Sequence, residues 1–212
     1  MVTPIYERFR DSIRAEIPVA LATLIEGPNL GAKLLVEESG FSLGSLGGEE
    51  LDRVVERDAI AMLEAGTSEV RHYGSHGEAR QHDLSVFIEC HSRRPHLVIF
   101  GAVDFTRALA SQGKLLGFRV TVCDAREVFA TRRRFPMADE VVVDWPDRLL
   151  ARIGNDLGPR DAVCVLTHDA KFDVPAIMGS LPTRVGYLGA MGSLQTNQKR
   201  LERLLEEGAT AE

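Results

Sequence analysis

A chain of 212 residues suits one large domain or two small ones, and its 44% apolar and 26% charged content is that of an ordinary globular protein. The net charge of −6, with no lysine–arginine stripe interleaved with aromatics, excludes an evident nucleic-acid partner. No apolar stretch approaches the roughly 18 residues that cross a bilayer, residues 1–8 lack a signal-peptide apolar region, and no membrane partner is expected.

Residues 3–17 read as an amphipathic helix carrying Ile5, Phe9 and Ile13. A strand follows over 19–25, a turn at Gly27-Pro28-Asn29, and a partner strand over 32–36. Residues 40–48 read as a glycine–serine loop. Residues 49–65 form a helix with an apolar side, acidic residues in its first turn and Gly66 at its end. Short strands are predicted over 70–73 and 84–89.

The polar segment 90–95 marks a boundary between domains 1–93 and 94–212. Beyond it, strands over 96–100, 119–123, 140–143, 162–166 and 185–188 alternate with helices over 105–116, 146–153, near 174–178 and 194–206. That alternation argues a parallel sheet covered on both faces. The fold class is therefore α/β, an N-terminal α+β domain followed by a Rossmann-like three-layer domain with a parallel sheet. The densest basic run, Arg132-Arg133-Arg134, reads as a solvated helix end. Three scattered cysteines, Cys90, Cys123 and Cys164, form no C-x-x-C and cannot all pair, which fits a reducing cytoplasm.

Ligands of such sheets bind beyond the carboxyl ends of the strands. The last strand runs into Gly189, Ala190, Met191, Gly192 and Ser193, and a polar helix with Lys199 and Arg200 begins. Free N–H groups at that helix start would suit a phosphate, reinforced by the two cations. The alternative is a turn that needs glycine only for its backbone angles. The first strand of the sheet ends at Gly101-Ala102-Val103-Asp104, and Asp124 closes the second strand about 20 residues on, where an acid would bond ribose hydroxyls. Val103 stands where a dinucleotide loop has its second glycine, and Asp104 reads as a helix N-cap or a catalytic acid without an identified partner.

The cluster His168, Asp169, Lys171 and Asp173 offers His168 as a general acid/base or ligand contact, with Asp169 and Asp173 alternatively shaping the turn into the next helix. No H-x-x-x-H or related spacing indicates a metal site. His72, His76, His82 and His91 read as surface or loop residues. Cys123 and Cys164 read as core, and Cys90 beside His91 leaves a reactive thiol open.

The segments Pro18-Val-Ala-Leu-Ala-Thr, Gly31-Ala-Lys-Leu-Leu-Val, Gly44-Ser-Leu-Gly-Gly, Leu97-Val-Ile-Phe-Gly-Ala, Val165-Leu-Thr-His-Asp169 and Tyr187-Leu-Gly-Ala-Met-Gly-Ser193, with others between them, together resemble the xanthine dehydrogenase accessory (XdhC/CoxI) family. The resemblance implies the same two-domain fold and a homodimer. It implies a non-catalytic maturation factor that binds molybdenum cofactor (molybdopterin), protects it during sulfuration and delivers it to a molybdenum hydroxylase subunit of the xanthine dehydrogenase or CO dehydrogenase type. On that reading Gly101, Asp124, His168, Asp169, Gly189, Gly192, Ser193 and Lys199 contact the cofactor. The alternatives are an NAD(P)-dependent oxidoreductase and a paralogue acting only through protein contacts. Four positions depart from the family pattern. Glu49 replaces a cysteine after the Gly44–Gly48 loop, and a C-G-G segment is missing around 78–83. The family's G-A-G-H has become Gly101-Ala102-Val103-Asp104, and a P-I-G-L-D-I-G segment past the last helix does not precede Glu212. A molybdenum ligated by a cysteine of this chain is accordingly not expected.

Overall fold

Strand β1 (Val19–Glu26) turns Ala20, Ala22 and Leu24 to one side, and this period of two fixes the register of the first sheet. In this computed structural model, which describes residues 4–78 and 81–210, β1 lies antiparallel between β2 (Lys33–Glu37) and β5 (Leu84–His91). With β3 (Ser42–Ser45) and β4 (Glu69–Tyr73) outermost, the order is β3-β2-β1-β5-β4. Helix α2 (Glu49–Ala65) covers one face, burying Leu51, Val55, Ala59, Met62 and Leu63 at spacings of three and four. Gly66, left-handed at φ 69°, ends it by donating its N–H to Met62 and Leu63. Helix α1 (Pro4–Arg14) is tied to β2, where Arg8 Nε and Nη2 lie 2.7 and 2.8 Å from the two oxygens of buried Glu37.

Two expectations for this unit change. Residues 40–48 hold strand β3, concealed by its composition because Gly44 at φ +102° passes so near β2 that a Cβ would lie 2.3 Å from the Lys33 carbonyl oxygen. The first helix stops at Arg14, since Glu16 turns the chain at φ 55° and the Ile17 amide bonds the Ser12 carbonyl. Thr3, where that helix was expected to begin, and residues 79 and 80 of the 78–83 segment lie outside the described residues.

The second unit is built on β6 (His96–Phe100), β7 (Arg119–Cys123), β8 (Glu140–Val142), β9 (Ala162–Val165) and β10 (Tyr187–Ala190). All are parallel, in the order β10-β9-β6-β7-β8. Both faces are apolar. Leu97 and Ile99 pack in the cluster that includes Ala110 of α3 (Asp104–Leu115), and Val98 and Phe100 in the one with Leu149 and Leu150 of α4 (Pro146–Ile153) and Ala176 and Ile177 of α5 (Ala170–Ser180). This is a three-layer Rossmann-like arrangement, and α6 (Leu194–Glu206) packs on α5. The chain runs from β6 outward to β7 and β8, then returns to β9, so a crevice opens at the carboxyl ends of β6 and β9. β10 begins two residues later than predicted. Gly186 lies against Pro159, where a Cβ would sit 1.9 Å from the carbonyl oxygen, and the Gly186 and Tyr187 amides bond Asp161. The two sheets belong to separate units, within residues 1–93 and 94–212.

Candidate functional site

The β6–α3 loop turns at Gly101, whose φ of +112° and closeness to the loop after β9 both require glycine, since a Cβ would meet Thr167 Cγ2 at 2.7 Å and its backbone N at 3.0 Å. The donors of the loop point inward. Ala102 N–H bonds Asp124 Oδ2 at 2.8 Å, Val103 N–H bonds Thr106 Oγ1 at 3.2 Å, and the Thr106 hydroxyl donates to the Gly101 carbonyl. Val103, not Asp104, is the N-cap, because Thr106 reaches back to satisfy the end of the helix. Asp104 is the first helical residue, fully exposed, with Arg134 Nη2 at 3.8 Å.

Asp124 is buried at the end of β7. Its Oδ1 accepts from the Arg126 backbone N–H and Nε, both at 2.9 Å, and its Oδ2 from Arg126 Nη2 at 2.7 Å and from Ala102. Burial opposes ionisation here, but the Arg126 guanidinium and the two amides outweigh it and hold the carboxyl below the usual range. The carboxylate thus clamps the β6–α3 loop, and Arg126 covers the position at which a ribose would be read. Arg132 and Arg134 do not end a helix. They lie in one turn, where Arg132 bonds the Ala138 carbonyl and Arg134 Nη1 bonds those of Ala102 and Phe129 at 3.0 and 3.2 Å.

The opposite side of the crevice is built differently. Asp169 caps α5, accepting from the Lys171 N–H at 3.1 Å, with Lys171 Nζ at 3.2 Å. Asp173 is buried, accepting from the Thr167 hydroxyl and from Arg200 Nε and Nη2 at 3.0 and 2.7 Å. Arg200 also reaches Asn197 Oδ1 at 2.6 Å and the Met191 carbonyl at 2.9 Å. It is 6% exposed and cross-links α5, α6 and the β10–α6 loop, so it is not the ligand-facing cation expected. A partner 27 positions away buries it, which no local pattern reveals.

Ser193 caps α6, accepting from the Thr196 N–H at 3.2 Å. Neither Gly189 nor Gly192 adopts a positive φ, so backbone angles do not explain them. A Cβ on Gly192 would crowd Thr196 and Asn197 at 3.2 Å, and one on Gly189 would displace the exposed Tyr187 side chain, whose Oη lies 2.4 Å from it. Between the start of α5 and α6 lies a pocket of about 520 Å³, lined by His168, Asp169, Gln195, Thr196, Lys199 and Arg203 among others. Its volume falls in the range of small-molecule sites, roughly 300–1,000 Å³. His168, Lys199 and Arg203 are exposed, and the two cations stand four residues apart on one helix face. Arg203, Gln195 and Thr196 escaped the sequence reading, although the basic i, i+4 pair was its signal. Gly101 and Asp124 shape the crevice from the other loop.

On the β7–β8 side, the Trp145 and Phe172 rings are 5.2 Å apart. Arg126 Cζ lies 4.6 Å from the Phe129 ring centre and 5.4 Å from that of Phe172. Burial raises all three thiols, Cys90 to about 11, Cys123 to about 12 and Cys164 also upward, so none is a ready thiolate. Glu49 opens α2 in the first unit. His72 and His91 are strand residues, bonded to Ser85 and Glu89. Among the described residues no group of three or more His, Cys, Asp or Glu could hold a metal ion, and no helix is long and apolar enough to cross a membrane.

The family model of the XdhC Rossmann domain matches residues 97–212, and that of the XdhC and CoxI family matches residues 12–74. An uncharacterised protein, YqeB of Escherichia coli (strain K12), is 27% identical over 207 residues, covering 92% of this chain and 38% of its own. A probable xanthine dehydrogenase subunit of Bacillus subtilis (strain 168) is 30% identical over 117 residues, 55% of this chain and 35% of its own. The chain thus spans under two fifths of these relatives' lengths. A crystal structure described as a xanthine dehydrogenase from Bacillus halodurans shares the fold at a TM-score of 0.52 and 20% identity, over 94% of this chain and 85% of that one.

Proposed function

This chain belongs to the XdhC and CoxI family, and on that premise we propose that it serves the maturation of a molybdenum hydroxylase of the xanthine dehydrogenase or CO dehydrogenase type. It holds molybdenum cofactor as cargo and catalyses no reaction on it. The observation that carries this reading is the α5–α6 pocket, of ligand size and edged by exposed Lys199 and Arg203. The phosphate of the pterin takes these cations and the first turn of α6, where the dipole favours an anion. His168 and Asp169 line the mouth, while Gly189, Gly192 and Ser193 hold the loop that starts α6. Gly101 and Asp124 act as positioning residues that keep the neighbouring loop closed.

With its thiols raised by burial, the chain shields the molybdenum without a cysteine bond to it. A nicotinamide dinucleotide is disfavoured, because the Ala102 and Val103 donors that would meet its pyrophosphate are bonded inward. The homodimer belongs to the same proposal, and light scattering with and without cofactor tests it.

The deciding experiment is anaerobic equilibrium dialysis of the purified protein against isolated molybdenum cofactor, with NADH as control. Saturable cofactor binding that is lost in a Lys199→Ala/Arg203→Ala double variant is expected. A protein that takes up no cofactor, yet still captures a hydroxylase subunit, would shift the reading to one of protein contacts alone.

A further inference from the structure

Beyond the pocket, the carboxyl edge of the sheet carries a cluster that neither the phosphate reading nor the core accounts for. Phe172, in the first turn of α5, is 5% exposed and serves as its base. Trp145 lies 5.2 Å from it, Arg126 Cζ 5.4 Å and Lys171 Nζ 4.9 Å. Phe129 closes the group, 4.6 Å from Arg126 Cζ.

The outer members stay open to solvent. Trp145 is 38% exposed and Phe129 39%. Trp145 packs on the buried Phe172, and Phe129 lies beside two guanidiniums, Arg126 at 4.6 Å and Arg134 at 5.5 Å. The Trp145 backbone N–H at the start of α4 donates to Asp144 Oδ1 at 2.9 Å, and Arg152 grips Asp144 at 2.6 Å. The Arg126 plane is fixed by its two-pronged bond to Asp124. Half-exposed aromatic faces beside a fixed guanidinium are the elements with which proteins stack planar heterocycles. The cluster also adjoins the pocket. The first turn of α5 gives Asp169 and Ala170 to the pocket and Phe172 to the cluster, a span of about one 5.4 Å helical turn. Asp169 and Arg126 stand near enough for each charge to stabilise the other.

We propose that Trp145 and Phe129, backed by Arg126 and Phe172, form a stacking surface for the planar heterocycle of a phosphorylated ligand. The inference rests on the reading that the adjoining α5–α6 pocket takes the phosphate. Pterins and purines share the required chemistry, a flat polarised ring joined to a phosphate, and the test separates them.

The test is calorimetric titration of the full chain with neopterin monophosphate, guanosine monophosphate and inorganic phosphate. Trp145→Ala and Phe129→Ala should each weaken the heterocyclic phosphates roughly tenfold and leave inorganic phosphate unchanged. Trp145→Phe should restore most of the loss, and circular dichroism of each variant checks the fold. Saturable quenching of Trp145, the only tryptophan, by heterocyclic phosphates but not by inorganic phosphate is the second expected signal. Stronger binding of the pterin than of the purine supports a pterin cargo, and the reverse order supports a nucleotide. Heterocycle affinities unmoved by Trp145→Ala and Phe129→Ala overturn the stacking surface, even where Lys199→Ala still weakens all three probes and the pocket stands. Sensitivity to Trp145 without sensitivity to Lys199 upholds the stacking surface and removes the phosphate reading. No binding of any probe removes both.

Discussion

Two loops leave the same edge of the parallel sheet, and each opens a helix at which a phosphate would ordinarily bind. The β6–α3 loop has turned its donors inward, onto Asp124 and Thr106, and Arg126 closes the acid that would read a ribose. The β10–α6 loop is fastened from behind by Arg200 and leaves a cation-edged pocket in front. The difference teaches that a Rossmann-like scaffold does not fix where its anion sits. Which loop satisfies its polar groups internally decides that.

Breaking the fastening of the second loop should have the largest effect. Asp173 and Arg200 are a buried, hydrogen-bonded pair, and removing one partner of such a pair costs about 3–5 kcal/mol. Arg200→Ala should therefore lower the urea midpoint of the second unit sharply and abolish cofactor binding with it. A double Asp173→Leu/Arg200→Met variant should regain much of the stability, since apolar replacements of buried pairs are often tolerated. Unchanged denaturation of Arg200→Ala would mean that the pair does not hold the loop.

Opening the first loop comes next. Asp124 accepts charge-assisted bonds that are each worth about 1.5–3 kcal/mol. Its folded pKa is lowered, so its contribution is fully present above the unfolded value near 3.9 and fades as pH falls through the lower folded value. Asp124→Asn should cost about 2 kcal/mol at neutral pH, and a smaller difference from the parent should remain below about pH 4. Stability curves against pH for the two proteins measure this. An unchanging gap would show that the ionised carboxylate is not the clamp.

At the open pocket the effect is on binding alone. Lys199→Ala should weaken the cofactor about tenfold without altering stability, because Lys199 is exposed and a charge-assisted contact is worth about 1.5–3 kcal/mol. Val103→Gly, which gives the first loop a more dinucleotide-like sequence, should create no NADH binding, since the inward bonds do not depend on that side chain. Fluorescence titration with NADH would reveal the opposite.

The comparison also explains what was legible in the sequence. Elements with a strong period and end signals were readable, as in α2 with its acidic start and Gly66. The parallel strands followed from strand–helix alternation, and the carboxyl-end rule put Asp124 and His168 just beyond β7 and β9, whereas Gly189, expected past the last strand, lies inside β10. The partners were not readable. Arg200 looked like a free cation because Asp173 meets it only after α5 packs on α6. Asp124 stands where its spacing put it, yet its neighbour Arg126 folds back to occupy it. β3 was hidden because the glycine that admits it beside β2 also makes it resemble a loop.

The smallest effect concerns the thiols, which sharpen the contrast between holding a cargo and bonding it. Cys123 and Cys164 lie in the parallel strands, Cys90 lies in β5, and burial raises each above the ordinary thiol range. A raised thiol is neither a good nucleophile nor a ready ligand, because metal binding and attack both use the thiolate. At pH 8 the native protein should therefore react with iodoacetamide much more slowly than the same protein in urea. Cys90→Ser should leave cofactor affinity within about twofold of the parent, since the exchange removes no group from the α5–α6 pocket. Rapid alkylation of one native thiol, prevented by bound cofactor, would place a cysteine against the cargo and move the site away from Lys199 and Arg203.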